Sequence, residues 1–450
     1  MGRLFGTDGA RGVANTELTC ELAMSIGKAA AMVLIKEEHG KKPIVYIGKD
    51  TRLSSDMLEG ALTAGLCSVG ADVVHLGTIP TPAVAYLVKK HGADAGIMIS
   101  ASHNPFEFNG IKIFNSEGYK LPDALEEEIE AIVLDNAEQY PAPTGSGLGK
   151  VSALSEAIDE YIDHIVSTID CSLSGLSIAV DCSNGSASAT AEKLFSKLSA
   201  SCVFLNCAPN GVNINDKCGS THIERLQEFV KNNKMDCGVA FDGDADRCLA
   251  VDENGELIDG DFMIAICAKH LKEQNKLKNN TVVGTVMTNM GFNKFCEEND
   301  IDFAGTAVCD RYVLENMLKN DYCIGCEQSG HIIFLEHGTT GDGQLSAVQL
   351  LSIMREKKMR LSQLASVIKR YPQVLINVKV SNDKKSLYKT DNVINDSITD
   401  TEKKLNGRGR VLVRASGTEP LVRVMLEGEE LDEITAHANT IADILKERLC

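Results

Sequence analysis

Three aspartates alternate with small residues in Asp242-Gly-Asp-Ala-Asp-Arg247. Like charges held in one tight turn repel unless a cation sits among them, and hard carboxylate oxygens suit Mg2+. Asp242 and Glu253 fall at the first and twelfth positions of an EF-hand. That loop, however, needs glycine at its sixth position and helices on either side. Here Arg247 fills the position, and the flanks CGVAF and CLAVD read as strands. Octahedral Mg2+ held by few protein ligands keeps sites for water or phosphate, so the loop asks for a phosphoryl oxygen.

A second constellation, Arg414-Ala-Ser-Gly-Thr-Glu-Pro-Leu-Val-Arg423, brackets a hydroxyl-rich turn with two arginines. Forked guanidinium donors and approachable backbone N–H groups suit a dianionic phosphate. Glu327-Gln-Ser-Gly-His331 precedes an apolar run, and its Glu and Ser could hold vicinal hydroxyls or an amine. Gly6-Thr-Asp-Gly-Ala-Arg-Gly12 is a flexible turn with one cation, Arg11, and lacks the Lys-Ser/Thr ending of a nucleotide phosphate loop. Finally, the apolar run before Ser100-Ala-Ser-His-Asn-Pro105 stops on hydroxyls and a proline-locked turn. No GxSxG elbow surrounds Ser102, and His103 follows it too directly to serve as its base. From spacing alone, Ser102 is either a helix cap or a hydroxyl held out for phosphoryl chemistry.

The elements that must carry these turns alternate between short apolar runs and helical patterns. Residues 43–50, 71–77 and 95–100 read as buried strands, and 54–70 as a helix. The linker-like PAPTGSGLGK (141–150) leads to a helical stretch near 154–169 and a second set of strands. A third set opens with an N-cap at Asp259 or Asp261. Beyond residue 370 comes an alternating strand, a strand pair around residues 414–428, and a final helix striped by Leu431, Ile434, Ala438, Ile441 and Leu445. The expected class is therefore α/β, with domains over 1–150, 151–255 and 256–370 and a smaller α+β domain over 371–450.

At 450 residues the chain is too long for one core, and length suggests about three or four domains. Lys+Arg 45 against Asp+Glu 63 gives a net charge of −18. So acidic a chain has no general attraction for nucleic acid or anionic membrane, and an anionic substrate must be held by local cationic pockets. No apolar run reaches bilayer length and the first residues show no signal-peptide pattern, so a cytoplasmic location is expected. The fifteen scattered cysteines then read as reduced thiols. Cys323 and Cys326 have redox or metal spacing, but no second pair or nearby histidine completes a zinc set.

Taken together, GTDGARG, ISASHNP, DGDADR, CEQSGH and RASGTEPLVR resemble, in order and spacing, the α-D-phosphohexomutase superfamily, and the resemblance covers the whole chain. NINDKCGSTH (213–222), the aspartate of GTDGARG, TAVCDRYV (306–313) and the TTGDG run are most similar to the bacterial subgroup acting on glucosamine phosphates. The resemblance implies three related α/β domains plus a smaller C-terminal α+β domain around a central cleft. It implies a phosphoserine at Ser102, with one Mg2+ per chain held by Asp242, Asp244, Asp246 and a Ser102 phosphoryl oxygen. Glu327 and Ser329 would grip the sugar, and Arg414, Ser416, Gly417, Thr418 and Arg423 the distal phosphate. Arg11 and Arg247 would face the phosphoserine, with Lys112 and His331 as acid/base candidates. The implied reaction interconverts glucosamine 6-phosphate and glucosamine 1-phosphate through glucosamine 1,6-bisphosphate, supplying UDP-N-acetylglucosamine and cell-wall synthesis. A homodimer is left open, and the alternative substrates are glucose and mannose phosphates. Two departures bear on substrate preference: Cys309 and Cys326 stand where the subgroup usually has glycine. A phosphatase would use the same carboxylate loop without needing the 414–423 turn. A non-catalytic sugar-phosphate sensor would not need the serine and metal loops.

Overall fold

The computed structural model describes residues 2–6, 8–34, 42–416 and 419–450. The chain divides into two compact units, one of residues 1–287 and 301–367, the other of residues 288–300 and 368–450.

The first unit holds three sheets. The largest has seven strands in the order Phe5–Gly6, Gly9–Val13, Phe108–Asn115, Ala95–Ile99, Ile44–Lys49, Asp72–Thr78 and Val151–Ala153. Its centre is parallel, as the alternation of strand and helix predicts, and Phe108–Asn115 then runs antiparallel to Ala95–Ile99. Every residue of Ala95–Ile99 is buried, so this strand reads as a continuous apolar run. The expected helix over 54–70 is Leu53–Ser68, and the one near 154–169 is Ala157–Val166. Val151–Ala153, just past the glycine- and proline-rich stretch, pairs back onto Asp72–Thr78.

The second sheet orders Leu257–Ile258, Cys248–Asp252, Cys237–Phe241, Ser177–Asp181 and Ser201–Leu205. The third orders Asp302–Thr306, Thr281–Thr285, Ile324–Cys326 and Ile332–Phe334. Asp259 is the N-cap of helix Gly260–Glu273, accepting from the Asp261 and Phe262 amides.

The second unit is a three-stranded antiparallel sheet, Gln373–Lys379, Leu421–Gly428 and Gly409–Ala415, packed by helix Leu431–Leu449. Ile434, Ala438, Ile441 and Leu445 are buried as expected. Leu431 is not: at the first residue of the helix it is 53% exposed, and the buried stripe extends instead through Ala442 to Leu449. No helix among the described residues is long and apolar enough to cross a membrane. Among the described residues no cysteine is disulfide-bonded, and Cys323 and Cys326 are buried.

Candidate active site

Strand Ala95–Ile99 delivers the chain to Ser102, which is fully buried and sits at φ 51°, the left-handed region that non-glycine residues rarely occupy. Strands Cys237–Phe241 and Cys248–Asp252 are antiparallel neighbours, and residues 242–247 form the turn between them. Both turns lie in the first unit, and the Ser102 hydroxyl donates to Asp242 Oδ2 at 2.6 Å. His103 Nδ1 is 3.4 Å from the same hydroxyl, but Arg247 Nη1 donates to that nitrogen at 3.0 Å and engages its lone pair. Burial, then the charges of Arg247 and Arg11, lower the His103 pKa to about 4, so the ring is neutral.

Asp242, Asp244 and Asp246 are all buried and present oxygens within 4.8 Å of one another. Asp244 Oδ1 and Asp246 Oδ1 have no hydrogen-bond partner. Buried carboxylate oxygens left unpartnered are costly, and a hard divalent cation is the ligand that would satisfy them together. The donor set therefore fits Mg2+. Burial, then the Asp246 and Asp244 charges, pushes Asp242 well above the usual carboxylate range. Burial also pushes Asp246 upward, yet Lys112, His331 and Arg247 outweigh it and hold that group well below the range.

Lys112, on strand Phe108–Asn115, is 1% exposed and reaches Asp244 Oδ2 at 2.7 Å, Asp8 Oδ2 at 3.1 Å and Asp246 Oδ2 at 3.5 Å. Burial disfavours its charge, but the three carboxylates more than offset that and raise its pKa, so it is an ammonium. Thr81 Oγ1 adds a 2.6 Å donor to Asp244 Oδ2. His331 lies between two carboxylates, with Nδ1 3.7 Å from Asp246 Oδ2 and Nε2 3.6 Å from Asp310 Oδ2. The Gly341 amide donates to Nε2 at 3.1 Å, which requires a lone pair there and a proton on Nδ1. Arg11 is ion-paired with Asp8.

Glu327 and Ser329 occupy the hairpin turn joining Ile324–Cys326 to Ile332–Phe334. Glu327 is half-buried and burial raises its pKa, while Ser329 is exposed. Gly330 must be glycine: its φ is +90°, and a Cβ would meet the Cys248 carbonyl oxygen at 2.1 Å. Cys326 is buried in the strand, and Cys309 is half-buried with its thiol pushed up to about 12 by burial and Asp310.

In the second unit, Arg414 pairs directly opposite Arg423 across the two strands. Like charges directly opposite are destabilising, and burial together with Arg423 lowers the Arg414 pKa. Arg423 has Glu419 at 2.7 Å, more than half exposed, and Ser416 is buried at the end of the strand. An anion between the guanidinium groups would relieve their repulsion. Gly417 and Thr418 lie outside the described residues.

Sequence reasoning passed over several partners. Lys120 bridges Asp8 Oδ1 and Asp310 Oδ2, each at 2.6 Å. Lys385 Nζ donates to the Ser416 carbonyl at 2.8 Å. Asp8 and Asp310 lie inside GTDGARG and TAVCDRYV, the segments whose spacing was the available signal.

A buried serine hydroxyl aimed into an aspartate triad, with the Glu327–Ser329 hairpin and two facing arginines on the same chain, is the set that a phosphohexomutase requires. Family models for phosphoglucomutase/phosphomannomutase match end to end: α/β/α domain I over residues 2–140, domain II over 159–255, domain III over 259–371 and the C-terminal domain over 375–444. The chain belongs to this family and is an enzyme of the isomerase class. Phosphoglucosamine mutases from Clostridium beijerinckii (over 448 residues) and Acetivibrio thermocellus (over 449) are each 54% identical to it, covering 100% of both chains. A family protein from Burkholderia thailandensis superimposes with a TM-score of 0.83 at 23% identity, covering 99% of this chain and 98% of that one. An Aspergillus fumigatus N-acetylphosphoglucosamine mutase, solved with GlcNAc-6P and magnesium, gives 0.70 at 16% identity, covering 99% and 95%.

Proposed function

We propose that the chain interconverts glucosamine 6-phosphate and glucosamine 1-phosphate, with Ser102 Oγ as the atom that gives and takes the phosphoryl group. The observation that carries this is the 2.6 Å contact between Ser102 Oγ and Asp242, beside two unpartnered carboxylate oxygens. Ser102 Oγ, once phosphorylated, gives its phosphoryl group to O1 of glucosamine 6-phosphate. The phosphorus–Oγ bond breaks as the phosphorus–O1 bond forms, leaving glucosamine 1,6-bisphosphate and a dephosphorylated serine. The intermediate turns over, and its 6-phosphoryl group returns to Ser102 Oγ, releasing glucosamine 1-phosphate. Asp242, Asp244, Asp246 and a phosphoryl oxygen on Ser102 would hold one Mg2+, which supplies charge stabilisation at the transferring group when bound.

Lys112, already cationic, neutralises the carboxylates and offers a proton, whereas His331 is the group suited to exchange the proton of the sugar hydroxyl. Arg11 and Arg247 face the phosphoryl group. Glu327 and Ser329 hold the sugar and its amine. Arg414, Ser416, Gly417, Thr418 and Arg423 hold the non-reacting phosphate. The enzyme works in the cytoplasm on soluble sugar phosphates, as a monomer or a homodimer, and supplies precursors of UDP-N-acetylglucosamine and the cell wall.

The second reading is action on glucose or mannose phosphates, for which Cys309 and Cys326 are the relevant departures from the usual glycines. Turnover of the three sugar phosphates by one preparation separates the two. Glucosamine phosphate is expected to give the highest kcat/KM, and a higher value for glucose or mannose phosphate would overturn the assignment.

A further inference from the structure

Three features converge on one main-chain carbonyl. The Ser102 C=O accepts from Arg52 Nη2 at 3.1 Å and from Asn215 Nδ2 at 2.8 Å. Gly243 passes so close that a Cβ there would stand 2.4 Å from the same oxygen. The two donors also share a second acceptor, the Asn104 carbonyl, at 2.5 Å from Arg52 and 3.0 Å from Asn215. Arg52 follows strand Ile44–Lys49 of the first sheet, whereas Asn215 comes from the loop between strand Ser201–Leu205 and helix Glu224–Asn233.

The rest of the arrangement holds the other side of Ser102. Arg52 is ion-paired with Asp50, and both side chains are completely buried. Asp50 accepts from Ser100 Oγ at 2.6 Å and Ser55 Oγ at 2.9 Å, and Ser100 Oγ accepts the Ser102 N–H at 3.0 Å. Both backbone groups of Ser102 are thus fixed, at a φ that a non-glycine residue keeps only when its surroundings over-determine it. Asn215 Oδ1 is buried without a partner, so this side chain is kept for its donors although its acceptor goes unsatisfied.

We propose that Arg52 and Asn215 are positioning residues for phosphoryl transfer. They clamp the Ser102 and Asn104 carbonyls so that Ser102 Oγ stays on the Asp242 side of the turn. This rests on the mutase reading of the same site. One planar guanidinium serves Asp50 and both carbonyls at once, which a lysine ammonium on a flexible stem does not reproduce.

Asn215→Asp tests this with almost no change of shape, because it replaces the shared donor by an acceptor facing two carbonyls. Arg52→Lys is the charge-preserving second variant, and Asn215→Ser replaces Asn215→Asp if that protein does not fold. Each is measured for thermal midpoint, for kcat and KM with glucosamine 6-phosphate, and for phosphoryl uptake at Ser102 by intact mass. In folded variants kcat is expected to fall ~100-fold, the cost of about 1 Å of misplacement, with KM within about threefold. A lowered thermal midpoint with wild-type kcat per folded molecule would overturn the clamp. A wild-type protein that neither isomerises the sugar nor takes up phosphate would overturn the mutase reading itself, and the clamp with it.

Discussion

The two regions assigned to phosphate are built in opposite ways. Around Ser102 the charges already have partners: Lys112 sits among three carboxylates, Arg11 on Asp8, and Arg247 beside His103 and 3.9 Å from Asp246. On the second unit's strand pair, Arg414 faces Arg423, and Glu419 is more than half exposed. The first arrangement suits a reacting centre, where groups fixed in advance need not reorganise as charge develops. The second suits a holder whose cations repel until an anion arrives. On the proposed assignment, positioning and holding are thus divided between a region of paired buried charges and a region with two facing arginines.

The comparison is most severely tested at the aspartate triad. Asp244→Asn, or chelation of wild-type protein, is expected to lower kcat by at least ~100-fold, and added Mg2+ should restore only the chelated wild type. Activity indifferent to both treatments would contradict a metal-assisted centre. At the strand pair, Arg423→Met should act mainly through KM, raising it ~10-fold or more with kcat nearly preserved. This is the pattern of a contact made equally in ground and transition states. A loss confined to kcat would place that arginine at the reacting end.

The smallest effect is a pH signature of buried charge in the first unit. Asp342 accepts from Tyr161 Oη and the Leu345 amide, yet burial raises its pKa from 3.8 to about 6. Between those values the native state keeps a proton that the unfolded chain has lost. Stability from this group is therefore complete below about pH 4 and declines as pH rises to about 6. A shift of about two units amounts to ~3 kcal/mol. Asp342→Asn keeps the oxygen that caps helix Gly343–Lys357. In denaturant titrations at pH 4 and 7 its stability relative to wild type should rise with pH, and a constant difference would remove Asp342 as the source.

What was legible in the sequence was what lies close along the chain. The aspartates of 242–246 share one turn, and Ser102 follows an unbroken apolar strand, so both could be read without knowing the fold. Arg52 and Asn215 reach Ser102 across 50 and 113 positions, and nothing in KDTR or NIND marks which carbonyls they will find. Lys120 likewise meets Asp310 only because the segment after strand Phe108–Asn115 and the start of helix Asp310–Asn320 come together. Leu431 shows the reverse error. Helical periodicity placed it on the buried stripe, but the core does not extend to the helix's first residue. Pairing and packing across the fold, rather than local pattern, decided each of these.

The central claim is that Ser102 carries the phosphoryl group. Intact-mass analysis before and after incubation with a hexose 1,6-bisphosphate tests it directly. Wild-type protein should gain the mass of one phosphoryl group, mapped to Ser102, while folded Ser102→Ala should gain none and lose at least ~10^4-fold in mutase activity. A gain mapped to another residue, or near wild-type turnover by folded Ser102→Ala, would contradict the account.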